Sequence, residues 1–243
     1  MSLLKQLATD NTIHNETDSV GGANVLDSGI YNFTITMAYL NKATSGALGL
    51  VVSLKTDDKK EMRQTFWMTS GTAKGGKNYY EKDGQKHYLP GFNQASSLCL
   101  LACGKDISDL DTEEKVIPVW NSVAKAEVPT KVDALTDLIG KEIIGGVLKQ
   151  LVDKNVKNDA GVYVPSGDTR EENEVDKFFR AKDSMTTAEI RAAATEATFV
   201  KTWAEKHTGN VKDKSTKGVV AGVAGAPKAA GSGGKPTTSL FGS

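Results

Sequence analysis

The stretch Tyr31-Asn32-Phe33-Thr34-Ile35-Thr36-Met37-Ala38-Tyr39 places a large apolar residue at every second position. A β-strand sends successive side chains to opposite faces, so this alternation predicts a half-buried strand with Asn32, Thr34 and Thr36 on the wet side. A turn containing Gly46 leads into Leu48 to Leu54, where Leu48, Leu50, Val52 and Leu54 alternate again. Thr56-Asp57-Asp58-Lys59-Lys60 is a polar turn, and Glu61 to Thr69 returns as a third strand. The three make an antiparallel meander.

Further along, Tyr79-Tyr80-Glu81 and Lys86-His87-Tyr88 flank the turn signal Asp83-Gly84 and predict a short hairpin. Asn93 to Cys103 reads as a helix stopped by Gly104. Val116 to Trp120 is a short strand, and Asp133 to Ile139 a helical turn or two. Glu142 to Val156 is a long strand whose Gly145-Gly146 pair predicts a bulge or sharp coil. The chain returns through Asn158-Asp159-Ala160-Gly161 to Val162-Tyr163-Val164, with a last strand at Val175 to Phe179. Thr186-Thr187-Ala188-Glu189 is a capping box opening a helix that reaches about His207. The expected fold is mainly β with a few short helices. Long strands interrupted by glycine, with one helix between strand groups, favour an OB-like antiparallel barrel. The domain boundaries expected are an N-terminal arm over 1–28, the barrel over 29–207 and a Gly/Ala/Lys-rich tail over 208–243. The tail lacks the large apolar residues needed to offset the entropy of ordering and is expected to be flexible.

The formal net charge is zero, which argues against a bulk polycation but leaves room for a local basic groove. From Thr208 onward, Lys212, Lys214, Lys217, Lys228 and Lys235 face only Asp213, so the tail stands at +4 and the preceding body at −4. No apolar run reaches the ~18–20 residues of a membrane span, and Met1 to Asp10 lack the pattern of a signal peptide. The chain is expected to stay where it is made, away from membranes. Cys99 and Cys103, four apart in an apolar run, read as reduced core thiols. With no histidine beside them, neither a metal nor another cofactor is expected.

Gly71-Thr72-Ala73-Lys74-Gly75-Gly76-Lys77 has the spacing of a phosphate loop, but Asn78 stands where a magnesium-binding hydroxyl is needed and hairpin sequence follows. The acidic runs Asp106 to Glu114 and Asp168 to Glu174 match no calcium loop, and no histidine sits near a candidate nucleophile. The reading is therefore non-enzymatic. Ser70 to Phe92 is better taken as one unit, in which Lys74, Lys77, Lys82, Lys86 and His87 interleave with Tyr79, Tyr80, Tyr88 and Phe92. Lysines neutralise phosphates, exposed aromatic rings stack unpaired bases, and glycines let the backbone approach the strand. The bland alternative is a solvated loop whose tyrosines pack on the body. In the third strand Met62, Phe66 and Met68 share the core face, leaving Arg63, Thr65 and Trp67 on the other. An exposed Trp67 beside Arg63 calls for a partner: a nucleic acid, a covering helix or a second subunit.

From Phe66 through Tyr79-Tyr80-Glu81 to Tyr88-Leu89-Pro90-Gly91-Phe92, the sequence resembles bacteriophage single-stranded DNA-binding proteins. Ala124 to Val132 and Asn173-Glu174-Val175-Asp176-Lys177-Phe178-Phe179 carry the likeness further, over most of residues 25–207 and into a tail ending in Ser239-Leu240-Phe241. The resemblance implies an OB-fold body that coats exposed strands in phage DNA replication or recombination, in the host-cell cytoplasm. Many such binders end in an acidic tail, whereas this tail is basic. Leu240 and Phe241 are the expected docking residues for a replication or recombination protein, and a homo-oligomer is compatible with the sequence. A structural or assembly protein of the virion is the competing expectation.

Overall fold

A computed structural model describes residues 25–121 and 123–216. The fold is mainly β, built on antiparallel pairing, with three helices. The predicted meander is present as β1 (Gly29–Lys42), β2 (Leu48–Thr56) and β3 (Glu61–Trp67). A detached two-stranded hairpin follows, β4 (Tyr79–Lys82) and β5 (Gln85–Tyr88), and then α1 (Pro90–Cys103). Two long ribbons come next: β6 (Glu113–Asn121) with β7 (Ala126–Ala134), and β8 (Glu142–Lys157) with β9 (Tyr163–Arg180). The chain closes with α2 (Thr187–Arg191), α3 (Phe199–His207) and β10 (Val211–Asp213).

β1 is longer than its alternating core and does not keep one face. A bulge between Ile35 and Met37 shifts the register against β2. Because side chains alternate with period two, one extra residue exchanges the faces. Phe33, Ile35 and then Ala38 therefore enter the main core, while Met37 and Tyr39 turn to the opposite side. There Tyr39 and Val51 are covered by Val132 and Ala134 of β7. The expected wet side therefore holds as far as the bulge, with Asn32 and Thr36 exposed and Thr34 half-buried, but beyond it Ala38 and Tyr39 are buried on opposite faces.

The other edge of β1 is satisfied in three pieces. Gly29 to Thr34 pairs with β8, and Tyr39 and Leu40 pair with β7. Between them the connecting turn supplies the bonds: the amide of Gly140 donates to Ile35 O at 2.7 Å, Ile35 N to Lys141 O at 2.9 Å, and Leu135 N to Ala38 O at 2.9 Å. Of the helical turn or two expected over Asp133 to Ile139, only Thr136–Leu138 is helical, as one 3-10 turn, while Asp133 and Ala134 belong to β7.

β3 and β9 end the run β3-β2-β1-β8-β9 of this sheet, and its four antiparallel pairings make them run in the same direction. No backbone ladder joins them among the described residues. The side chain of Gln64 spans the gap, accepting from Val175 N at 2.7 Å and donating to Val175 O at 3.4 Å. Gln94 of α1 also donates to Val175 O, at 3.0 Å. α1 lies over the core with Ala95, Leu98, Cys99 and Leu101 buried, and Gly104 ends it at φ 72°. Both cysteines are free thiols, and burial, with Cys103 nearby, pushes the Cys99 thiol up to about 12.

The Gly145-Gly146 pair does mark an irregularity, a register shift against β9 between Gly146 and Val147. Its reason is also steric. A Cβ at Gly145 would lie 2.8 Å from the Phe33 ring, and one at Gly146 would lie 2.9 Å from the Trp203 indole.

The single helix expected from Thr186 to His207 is two helices, with Ala193 at φ 50° between them. Glu189 caps both. One oxygen accepts from Thr186 N at 2.8 Å, completing the capping box, and the other accepts from Thr198 N and Phe199 N at 2.8 Å each. Burial opposes ionisation of this carboxyl, but the Thr186, Phe199 and Thr198 amides outweigh it and bring the pKa from 4.5 down to about 2. A carboxyl with a lower pKa in the folded chain stabilises it above the unfolded value and loses that contribution as pH falls from about 4.5 towards 2. Allowing for its partial exposure, Glu189→Ala should cost about 2 kcal/mol at pH 7. Urea melts should show the gap between the two proteins closing below pH 4; a gap that persists to pH 2 would mean the carboxylate charge is not its source.

The body begins before β1 and continues beyond His207. Leu26 is buried, and Ser28 Oγ accepts from Lys149 N at 2.8 Å while donating to Asn210 O. β10 pairs in parallel with β8 beyond the start of β1, and Thr216 N donates to the Asp153 carboxylate at 3.0 Å. Residues 25–28 and 208–216 thus pack with the sheet; the rest of the expected arm and tail, including Leu240 and Phe241, lies outside the described residues. Among the described residues no helix is long and apolar enough to cross a membrane.

Candidate nucleic-acid interface

Strand register gathers the predicted segment at one end of the sheet. β1 finishes at Lys42, β2 starts beside it, and β3 ends there with Trp67. β7 leaves β1 opposite Leu40, so the β6–β7 ribbon runs out past that same end. The β8–β9 ribbon leaves β1 opposite Gly29 and extends from the other end.

The segment Gly71 to Lys77 is held down by the β1–β2 turn. Thr72 N donates to Ser45 O at 2.8 Å, and a Cβ on Gly71 would stand 2.8 Å from that same oxygen. Thr72–Lys74 makes one 3-10 turn, closed by Gly75 at φ 83°. The chain then enters β4 rather than a helix, so Gly71 to Lys77 lacks the helix N-terminus that a phosphate loop presents. In the β4–β5 hairpin, Asp83 at φ 52° and Gly84 at φ 75° form the left-handed turn that their sequence signals.

Cross-strand pairing sorts the hairpin side chains. Tyr79 lies opposite Tyr88 and Glu81 opposite Lys86 on one face; Tyr80 lies opposite His87 and Lys82 opposite Gln85 on the other. Lys86 Nζ sits 4.8 Å and Lys77 Nζ 5.4 Å from the Tyr79 ring centre. That ring therefore gathers two ammonium groups by cation–π attraction. Tyr80, 44% exposed, stacks on His87 at 5.5 Å, and Tyr88, 57% exposed, lies 4.8 Å from Phe92. These two are the freer rings.

Lys74, Lys77, Lys82 and Lys86 are all exposed, and none forms an ion pair among the described residues. Elsewhere Lys55, Lys60, Lys105, Lys115, Lys131, Lys149 and Lys214 each face a carboxylate, whereas others, Lys154 and Lys157 of the β8–β9 ribbon among them, are likewise without an ion pair among the described residues. A concavity of about 440 Å³ opens between Lys74, Lys77, Tyr79, Tyr80 and Glu81.

Trp67 is 42% exposed, as its strand face predicts, and its indole lies over Gly49, where a Cβ would come within 2.8 Å. Its backbone touches Gly91, just beyond the hairpin. Arg63 does not join it. Four residues along a strand separate them by about 13 Å, and Arg63 Nε donates to Ser53 Oγ at 3.3 Å. The expected Trp67–Arg63 pair is corrected to two separate exposed side chains at opposite ends of β3.

Two further aromatics escape the sequence reading. Trp120, 58% exposed, rides the outer face of the β6–β7 ribbon. Tyr163, 65% exposed, carries Lys157 Nζ at 5.3 Å on the distant β8–β9 ribbon. Lys154 and Lys157 ahead of the Asn158–Gly161 turn, with Tyr163 behind it, were the available signal for the second. No cluster of His, Cys, Asp or Glu suited to a metal occurs among the described residues. Compared with known protein families and with curated proteins, the chain matches none.

Proposed function

We propose that this chain binds single-stranded DNA without strong sequence preference, through Ser70 to Phe92, and coats exposed strands during phage DNA replication or recombination. The observation that carries the reading is the set of four exposed lysines, none of them in an ion pair although Glu81 lies across from Lys86, interleaved with the half-exposed rings of Tyr80 and Tyr88. Phosphates neutralise such lysines, and bases stack on such rings at about 1–3 kcal/mol each. Trp67 extends the surface onto the end of β3. An OB-like frame is the finer fold reading. It is supported by the β1–β2–β3 meander, by α1 between β3 and the β8–β9 pair, and by Gln64 bridging the parallel outer edges. On this reading the chain is not an enzyme and needs no cofactor, and Leu240 and Phe241 are its contact to a replication or recombination protein.

The competing reading, a virion structural protein, draws on exposed apolar side chains of the β6–β7 ribbon, Val116 and Trp120. Anisotropy titration of labelled oligothymidylate against a duplex of equal length separates the two. Single strands should bind more tightly, with log affinity falling by about 0.7 per log unit of salt for each phosphate contact. Equal affinity for both forms, or none for either, would favour the structural role.

A further inference from the structure

The main core is open at the Lys42 end of the sheet. A cavity of about 460 Å³ lies there between the loop Gly75–Asn78 and the segment Ile107–Thr112, floored by Leu40, Leu48, Met68, Phe92 and Leu135. That volume falls within the roughly 300–1,000 Å³ of small-molecule sites, which are mostly apolar with a few polar groups at the edge. Here the polar side chains are Thr69, Lys77, Asn78, Ser108 and Thr112, and two of them matter most. Lys77 lines both this cavity and the Tyr79–Tyr80 concavity, so it forms the ridge between them. Asn78, also lining the cavity, makes no side-chain hydrogen bond among the described residues, although its amide offers both donors and an acceptor. Gly76, on the rim, has open space around its Cβ position, so nothing crowds an approaching chain.

We propose that this cavity is a nucleobase pocket: a bound strand lays a phosphate on Lys77, sets one base against the Tyr79–Tyr80 side and turns the neighbouring base into the apolar cavity, with its polar edge towards Asn78. The inference rests on the single-strand reading and adds an insertion site to it. Charge complementarity selects the occupant. An apolar cavity beside an ammonium that has no carboxylate partner suits a flat ring attached to a phosphate better than a purely apolar side chain.

Ser108 and Thr112 are exposed rim residues, so Ser108→Met with Thr112→Met can fill the cavity with flexible thioether side chains without disturbing the core. The full chain and this variant are titrated with oligothymidylate and with a fully abasic strand of equal length, and their melting temperatures compared. The filled variant should melt no lower, bind oligothymidylate about tenfold more weakly and bind the abasic strand as the unsubstituted chain does. Equal weakening on both strands would mean that the methionines merely block the backbone path, and overturns the pocket. Unchanged binding to both also overturns it and leaves the cavity to a protein side chain. If the unsubstituted chain binds neither strand, the single-strand reading itself fails.

Discussion

Replacing Lys74, Lys77, Lys82 and Lys86 together by glutamine is expected to weaken binding to single-stranded DNA by roughly 10²–10³-fold at 0.1 M salt. The magnitude follows from counterion release. Each phosphate neutralised on a single strand contributes about 0.7 to the slope of log affinity against log salt, so four contacts flatten that slope by nearly 3. The lysines have no carboxylate to leave unpaired, and their removal should move the melting temperature little. Lys77 and Lys86 are the exceptions to watch, since both lie over the Tyr79 ring. Titrations at four or more salt concentrations provide both affinity and slope. An unchanged slope in a folded variant would place the phosphate contacts elsewhere, with the Lys154–Lys157 end of the β8–β9 ribbon next to be tested.

The second large effect is on stability. Trp203 is buried, its indole N–H donates to Asp176 Oδ2 at 2.8 Å, and its ring lies on Gly146 with Ile144, Leu148 and Phe179 around it. Trp203→Ala removes that packing and leaves the Asp176 carboxylate without its donor, at a cost of about 3–5 kcal/mol. At about 2–4 °C per kcal/mol for a body of this size, the melting temperature should fall by about 6–20 °C. Gly146→Ala should also destabilise, because its Cβ would stand 2.9 Å from the indole with a rigid ring unable to yield. The two changes share one contact and so should couple. In the Trp203→Ala background, Gly146→Ala should cost at least about 1 kcal/mol less than alone. Strict additivity in urea denaturation would mean that the helix does not rest on Gly146 in solution.

These two results probe different sources of information. The meander, the β4–β5 hairpin and α1 were legible in the sequence because their signals are local. Alternation marks β1 to β3, Asp83-Gly84 suits a turn with two positive φ angles, and Gly104 accommodates the left-handed C-cap. The basic, aromatic composition of Ser70 to Phe92 was equally plain. Which tyrosine remains free was not, because Lys77 and Lys86 choose a ring only once the loop and hairpin are folded against each other.

Elsewhere long-range contact overrode local preference. Ala192 to Ala194 favour helix by composition, yet the chain leaves the helix there so that Glu189 can cap α3 and Trp203 can reach Gly146. β7 escaped notice because Pro129 faces Pro118 across the ribbon and breaks the strand signal; two-stranded pairing tolerates prolines that a central strand would not. β10, three residues long, exists because β8 has an edge left uncovered beyond Gly29. The sequence by itself therefore determined the strand-rich class, the hairpin and the lysine–aromatic segment, all encoded within a few residues of one another. Only the tertiary structure decided the bulge in β1, the break between α2 and α3 and the end of the sheet at which that segment gathers, because each depends on contacts between residues far apart in the chain.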